Sequence, residues 1–383
     1  MGSKRGGDDL RVAHVGCYDG ADDAPPELPK RRDAMTGTRP ETAMGTGDWM
    51  AQTAASRSVV AARHAFTDVD EQAAWIAEAY PQRYEQLGAG AFAGEMTKVD
   101  VGGVLVVRER VNRRLFQAGT SREFTLAWVL SPAMRYRCNG QDLGPQHIMV
   151  WEGGSEFEIV CDPSDMCTVT VSAGALADWN GYPLGAGHRA PFRGVRIVPL
   201  ELADSLHTVV FRALDIVETG AITPNPALWR ESLRDDLLQI ATAVAELPLR
   251  DEQRLRRSKR TFERVVRLAR EQIARDTAGS LTIDELCRRV GVSRRNLHYA
   301  FDAVLSAPPG QYLRCLRLNA ARRALKRRDG RDNTVADVAF RLGFGHPSHF
   351  AADYKRRFGE LPSETAQRSA AADSRPAERV AGL

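Results

Sequence analysis

The chain has no run of 18 apolar residues, the length from which a membrane-spanning helix is read. Its start shows no apolar segment of the signal-peptide kind, so the expected place is the cytoplasm. Its 6 cysteines include no CxxC pair and fall short of a disulfide scaffold, which sets aside zinc ribbons and small secreted folds. Cys161 and Cys167 are near enough to be weighed as a redox pair, but two small strand residues are the better reading. Cys287 and Cys315 read as helix-packing residues. Between residues 62 and 175 the histidines are His64 and His147, too far apart for a His-x-His metal site. Gly88–Gly94 mimics a dinucleotide loop, yet no strand-like run leads into it, so glycine in a hairpin is preferred. With no nucleophile elbow and no phosphate-cradling loop either, neither a catalytic residue, nor a metal, nor a cofactor is expected.

What is present is charge, unevenly placed. The net charge is +4, but residues 250–368 hold 27 Lys/Arg against 14 Asp/Glu, while the remainder holds 26 against 35. A basic, polyanion-binding module beside an acidic remainder is the natural reading. Within the basic part a helix-turn-helix pattern occurs twice. In the first copy Ile283, Leu286 and Val290 fall at helical spacing, and Gly291 supplies a left-handed turn. Ser293 caps a second helix that buries Leu297 and Phe301. Its other side carries Arg294, Arg295, Asn296, His298 and Tyr299, a face suited to a DNA major groove.

The second copy begins about 52 residues later. Val335, Val338, Leu342 and Gly343 answer Ile283, Leu286, Val290 and Gly291; after the turn Phe350 answers Leu297 and Tyr354 answers Phe301. Pro347 suits a first helical position, and Pro309 and Pro362 trail the two copies equivalently. Between them, residues 311–327 form a helix with a stripe of Leu313, Leu316, Ala320 and Ala324. At 1.5 Å per residue it is roughly 25 Å long, a spacer able to hold two reading helices about one DNA turn (~34 Å) apart.

These residues carry a resemblance. Arg317-Leu318 with Ala321, then Gly343-Phe344, Phe350, Lys355, Phe358-Gly359 and Pro362, make the segment from near Thr261 similar to the DNA-binding domain of the AraC/XylS family of transcription regulators. The resemblance implies base readout by Arg295, His298 and Tyr299, with the matching outward positions of the second helix being His346, Pro347, Ser348, His349 and Ala352. Pro347 and Ala352 offer no side-chain hydrogen bond, so His346, Ser348 and His349 are its candidate base readers. Lys355, Arg356 and Arg357 are candidate phosphate contacts.

The acidic remainder has several short apolar or alternating runs, at 101–108, 124–130, 146–151 and 157–161, with turn signals at Asn139-Gly140 and Gly153-Gly154. A helix over Asp68–Tyr80, with Ala73, Trp75, Ile76 and Ala79 inward, precedes them. The expectation is a small β-barrel or cupin-like domain. Gln86-Leu87, Gly90-Ala91-Phe92 and residues 151–158 make this part similar to sensing domains of regulators like the ethanolamine-operon regulator. Trp128, Arg135, Tyr136 and Trp151 are candidate lining for an effector pocket. Two helical patterns follow, 200–218 and 226–246, for packing inside this domain or against its copy.

The expected organisation is therefore multidomain α+β: a disordered tail over 1–58 (with Met35, Met44 or Met50 as alternative starts), a β-rich sensing domain over 59–185, a helical dimerisation or connecting region over 190–250, an all-α double helix-turn-helix domain over 256–368, and a disordered tail over 369–383. Expected partners are promoter DNA, a small-molecule effector, RNA polymerase and a second copy, with no membrane, at the nucleoid. An enzyme fused to a helix-turn-helix module and a sensorless architectural DNA binder are the alternatives.

Overall fold

The computed structural model describes residues 60–130, 136–139, 141–144, 147–151, 153–179, 194–197, 200–219, 226–246, 257–276, 279–327 and 334–373. These all belong to one contact unit, Thr46–Leu383. The expected N-terminal tail, residues 247–256, Cys17 and Arg135 lie outside the described residues.

Strand β1 (Val60–Phe66) leads into helix α1 (Val69–Trp75), then β2 (Gln82–Gln86), β3 (Gly94–Asp100) and β4 (Val104–Val111). Next come β5 (Leu115–Ser121), β6 (Phe124–Val129), β7 (Tyr136–Cys138), β8 (Gln141–Leu143) and β9 (His147–Trp151). The sequence continues with β10 (Ser155–Cys161), β11 (Ser164–Val171), helix α2 (Ala173–Asp178) and β12 (Gly194–Ile197). All pairings are antiparallel. The described strands do not close into a barrel. They make a seven-stranded sheet, β1-β3-β4-β11-β6-β9-β12, and a five-stranded sheet, β2-β5-β10-β7-β8.

Alternation along the strands sets up the layers. On β4, Leu105, Val107 and Val111 join Phe157 and Ile159 of the other sheet in one core. Val104 and Val106, on the opposite face, pack against helices α3 (Leu200–Thr219) and α4 (Pro226–Glu246) through Leu206, Val210, Leu233 and Leu237. The central strands β4, β11 and β6 are thus buried on both faces. The apolar faces of α3 and α4, offered by the sequence to a second copy or to their own domain, are covered by that sheet. Cys161 lies in the inter-sheet core and Cys167 in the core under the helices, so they do not face each other.

The loop at Gly88–Gly94 is not a hairpin. A strand, β2, does lead into it, but it crosses to β3 in the other sheet, and no helix start follows to hold a phosphate. The expected helix at Asp68–Tyr80 is shorter, spanning Val69–Trp75. The Asp68 carboxylate caps it by accepting from the Asp70 and Glu71 N–H groups. His64 packs on Phe66, with ring centroids 4.6 Å apart, and His147 Nδ1 accepts from the Gly144 N–H.

The C-terminal part comprises α5 (Arg257–Arg275), α6 (Ile283–Val290), α7 (Arg294–Leu305), α8 (Pro309–Lys326), α9 (Val335–Arg341), α10 (Pro347–Phe358) and α11 (Pro362–Asp373). Helix α11 continues past Ser369, where a disordered tail was expected, and the Ser369 hydroxyl donates to the Lys326 carbonyl. No described helix is long and apolar enough to cross a membrane.

Candidate nucleic-acid interface

Each helix pair is built by local signals that the sequence displays. Thr282 caps α6 by accepting from the Glu285 N–H, and Gly291 ends it with φ +75°. Ser293 then caps α7 by accepting from the Asn296 N–H. Thr334 and Asp337 form a reciprocal capping box on α9, Gly343 turns with φ +80°, and Pro347 opens α10.

Each pair also has its own core. Leu297, Phe301, Leu286 and Ala269 meet in the first, Phe350, Tyr354, Val338 and Phe344 in the second. Helix α8 runs through both, with Leu313 in one and Leu318 and Leu325 in the other. Its buried surface is wider than the single stripe expected: Leu316, Ala320 and Ala324 are half-buried, whereas Tyr312, Asn319 and Arg322 are buried. The reason is that a third layer, the five-stranded sheet, packs along it.

Outward from these cores stand the sequence-predicted reading residues. Arg294, Arg295, Asn296, His298 and Tyr299 on α7 are all exposed, as are His346, Ser348 and His349 at the start of α10. The Arg295 guanidinium lies 5.3 Å from the centre of the Tyr299 ring and its Nε donates to the Tyr299 hydroxyl at 3.1 Å. Arg294 pairs with Asp284 of α6 at 2.7 Å, an exposed ion pair worth about 0–1 kcal/mol and readily exchanged for another acceptor. The His346 and His349 rings are 5.5 Å apart. Hydrogen bonds from Arg289 and Arg288 hold the Glu285 carboxyl below its ordinary range, so the two arginines share one carboxylate.

Lys355 and Arg356 are exposed at the end of α10. Arg357 is not available with them. It is half-buried and donates to the Leu87 carbonyl, turned toward the sheets by the helical step that sends its neighbours outward.

That contact belongs to a wide seam along β2, which sequence reading missed. The Gln86 side chain donates to the Arg357 carbonyl at 2.7 Å, and the Gly90 N–H donates to the Arg356 carbonyl at 2.9 Å. Asn319 exchanges two 3.2 Å hydrogen bonds with the Gln86 backbone. Arg323 pairs with Glu85 at 3.0 Å and Asp70 at 2.9 Å, while Arg322 and Lys326 pair with Asp68. Burial raises the Asp68 carboxyl, and Lys326 and Arg322 outweigh it, leaving it below its ordinary value. Burial keeps the Glu85 carboxyl above its ordinary value despite Arg323 and Arg83. On the first pair, Arg270 joins Glu158 of β10 and lies 3.9 Å from the centre of the Phe116 ring.

The residues expected to line an effector pocket separate. Trp151 lines a slot between the sheets. Trp128 lies on the other face of its sheet, stacked on His207 with centroids 6.2 Å apart. Tyr136 is buried in the inter-sheet core, its hydroxyl directed at the Met166 sulfur.

A helix-turn-helix family profile matches residues 286–368, the segment that holds both helix pairs. The relatives matched are named as an operon regulatory protein, operon transcriptional activators and HTH-type transcriptional regulators. The chain carries an AraC-type helix-turn-helix domain. The probable thc operon regulatory protein of Rhodococcus erythropolis is 37% identical over 111 residues, 29% of this chain and 33% of the relative. The XylDLEGF operon transcriptional activator 1 of Pseudomonas putida is 32% identical over 108 residues, 28% of this chain and 31% of its own. The HTH-type transcriptional regulator CdhR of Pseudomonas aeruginosa is 34% identical over 136 residues, 33% and 39% of the two chains. The chain thus spans about a third of the length of these curated relatives. Among solved structures, the AraC-like transcriptional activator CuxR aligns with a TM-score of 0.37 at 19% identity, over 68% of this chain and 95% of its own.

Proposed function

We propose that this chain is a sequence-specific transcription regulator whose two reading helices, α7 and α10, enter consecutive major grooves on one side of a duplex. The observation that carries the reading is their shared design. Each helix seals its apolar side in its own core while Arg295, His298 and Tyr299, or His346, Ser348 and His349, bury nothing and face solvent. One continuous helix, α8, connects the two. The first helix has the fuller set of base-edge donors, with Arg295 fitted to guanine O6/N7. Lys355 and Arg356 serve the phosphates, and Arg357 is withdrawn from that set.

Replacing Arg295 with alanine is expected to weaken operator binding about 5- to 150-fold, the equivalent of ~1–3 kcal/mol per good base contact, and random-sequence binding far less. Footprinting upstream of the chain's own and neighbouring genes supplies the operator, and fluorescence anisotropy on both duplexes gives the ratio. Equal losses on the two would reduce Arg295 to a phosphate contact. For Lys355→Ala the expectation is different in kind: a salt slope shallower by about 1 and an operator-to-random ratio left where it was. An unchanged slope would remove Lys355 from the backbone contacts.

In the same reading the two-sheet, cupin-like part is the sensing domain for a small-molecule effector, and RNA polymerase and a second copy are partners at the nucleoid. Support for sensing comes from β2. Tyr84 on its inner side reaches the inter-sheet slot, and Glu85 on its outer side holds Arg323 of α8. An occupant acts by favouring one arrangement of the helices over another.

A further inference from the structure

We propose that the five-stranded sheet is the gauge that sets the separation of the two DNA elements read by α7 and α10. Arg114 and Arg137 are the positioning residues for the first helix and Gln86 for the second. The proposal deepens the regulator reading above and rests on it.

Both reading helices end on this sheet. The last carbonyls of a helix have no partner within it and accept from outside. At the end of α7 the Leu305 carbonyl accepts from Arg114 at 2.7 Å, and the Ala303 carbonyl accepts from Arg137. At the end of α10 the Arg357 carbonyl accepts from the Gln86 amide at 2.7 Å, and the Arg356 carbonyl from the Gly90 N–H at 2.9 Å. Gly359 ends α10 with φ +77°, so close to the loop after β2 that a Cβ there would stand 3.0 Å from Ala91. The two arginines are themselves held, Arg114 by Asp162 at 3.6 Å and Arg137 by Asp142 at 2.7 Å. The helices belong to separate pairs with separate cores, yet one sheet meets both at equivalent places.

The anchors stand on a common baseline. In the strand order β2-β5-β10-β7, Gln86 closes β2, Arg114 immediately precedes β5 and Arg137 is the middle residue of β7. Neighbouring strands lie ~4.8 Å apart, so the three steps from β2 to β7 span roughly 14 Å.

The near ends of the two pairs are joined elsewhere. Gly279 abuts Gly343 so tightly that a Cβ on either would overlap backbone of the other segment, and Arg317 of α8 donates to the Leu281 carbonyl at 2.8 Å. A junction at one end alone is a pivot. The sheet joins the far ends and removes the swing. Each reading helix has 12 residues, with its reading side chains in the first half and its anchored carbonyls at the other end. It is about 18 Å long, so a shift at the anchor moves the reading end by a comparable distance.

The test uses the full-length protein, its footprinted operator, and two duplexes with one base pair added or removed between the two protected elements. One base pair moves an element by about 3.4 Å and turns it by about 35° around the duplex axis. By fluorescence anisotropy the wild type is expected to bind both altered duplexes about tenfold or more weakly than the operator, as loss of a base contact brings. In the double variant Arg114→Ala/Arg137→Ala that penalty is expected to fall below about threefold, with the operator still preferred over random sequence. A purely structural loss weakens all duplexes alike and leaves the penalty at its wild-type size. Near-ultraviolet circular dichroism checks that the variant is folded; should it not be, Arg137→Ala alone, which keeps Arg114, is read in its place. No penalty in the wild type, or a full penalty in the folded variant, overturns the proposal while operator preference stands. A wild type that binds operator and random sequence equally sinks the regulator reading, and this proposal with it.

Discussion

Alanine at position 343 is expected to destabilise the protein by about 2–5 kcal/mol, whereas alanine at the equivalent position 291 costs only about 1–2 kcal/mol. Both glycines end the first helix of their pair in the left-handed region, at φ +80° and +75°. For an L-residue that conformation alone costs roughly 1–2 kcal/mol. The difference is steric. A Cβ at 291 would meet nothing within 4 Å, but one at 343 would overlap the carbonyl oxygen of Gly279, part of the backbone leading into the first pair. Relief requires two backbone segments to part, adding about 1–3 kcal/mol, the usual range for overpacking. Urea midpoints of the two variants against the wild type provide the measurement. Equal effects would mean that the approach of residue 279 to residue 343 is not tight in solution.

The second large effect is expected for Arg323→Ala. Removing one partner of a buried ion pair typically costs about 3–5 kcal/mol, because the other charge is left without compensation. Glu85 is 2% exposed and would keep only Arg83, itself at the surface. The pH dependence has a definite sign. Burial already raises the folded Glu85 carboxyl above its ordinary 4.5, and loss of Arg323 raises it further. A raised carboxyl contributes stability that is present below the ordinary pKa and lost as pH rises through the folded one. The deficit of the variant should therefore be smallest in acid below about pH 4.5 and grow as pH rises. Urea unfolding from pH 4 to 8 reads this directly, and a deficit that is flat across the range would show that Glu85 is not the group left behind.

The sequence told most where the determinants are local. Gly291, Ser293 and Pro347 act within a turn of chain, and the helix ends they specify are where the spacing places them. The register of Phe350 on Leu297 and Tyr354 on Phe301 is likewise intrinsic, since each seals a helix pair of its own. What could not be read depends on distant partners. Strand β2, Gln-Arg-Tyr-Glu-Gln, has almost no apolar pattern. It is a buried strand because Asn319 and Arg323, more than 230 residues away, meet its polar groups. Arg357 resembled its basic neighbours until Leu87 stood beside it.

Trp128 stands on the face away from the slot for another reason. All six residues of β6 are buried, so alternation there says nothing about which face holds the slot.

The two reading helices differ from the rest of the molecule in one respect with evolutionary weight. The side chains they turn outward lie outside the apolar cores of both helix pairs, and the residues of those cores are turned away from that surface. If those side chains read bases as proposed, such a division would let the recognised DNA word drift letter by letter, one exposed position at a time, while the scaffold stayed under unchanged selection.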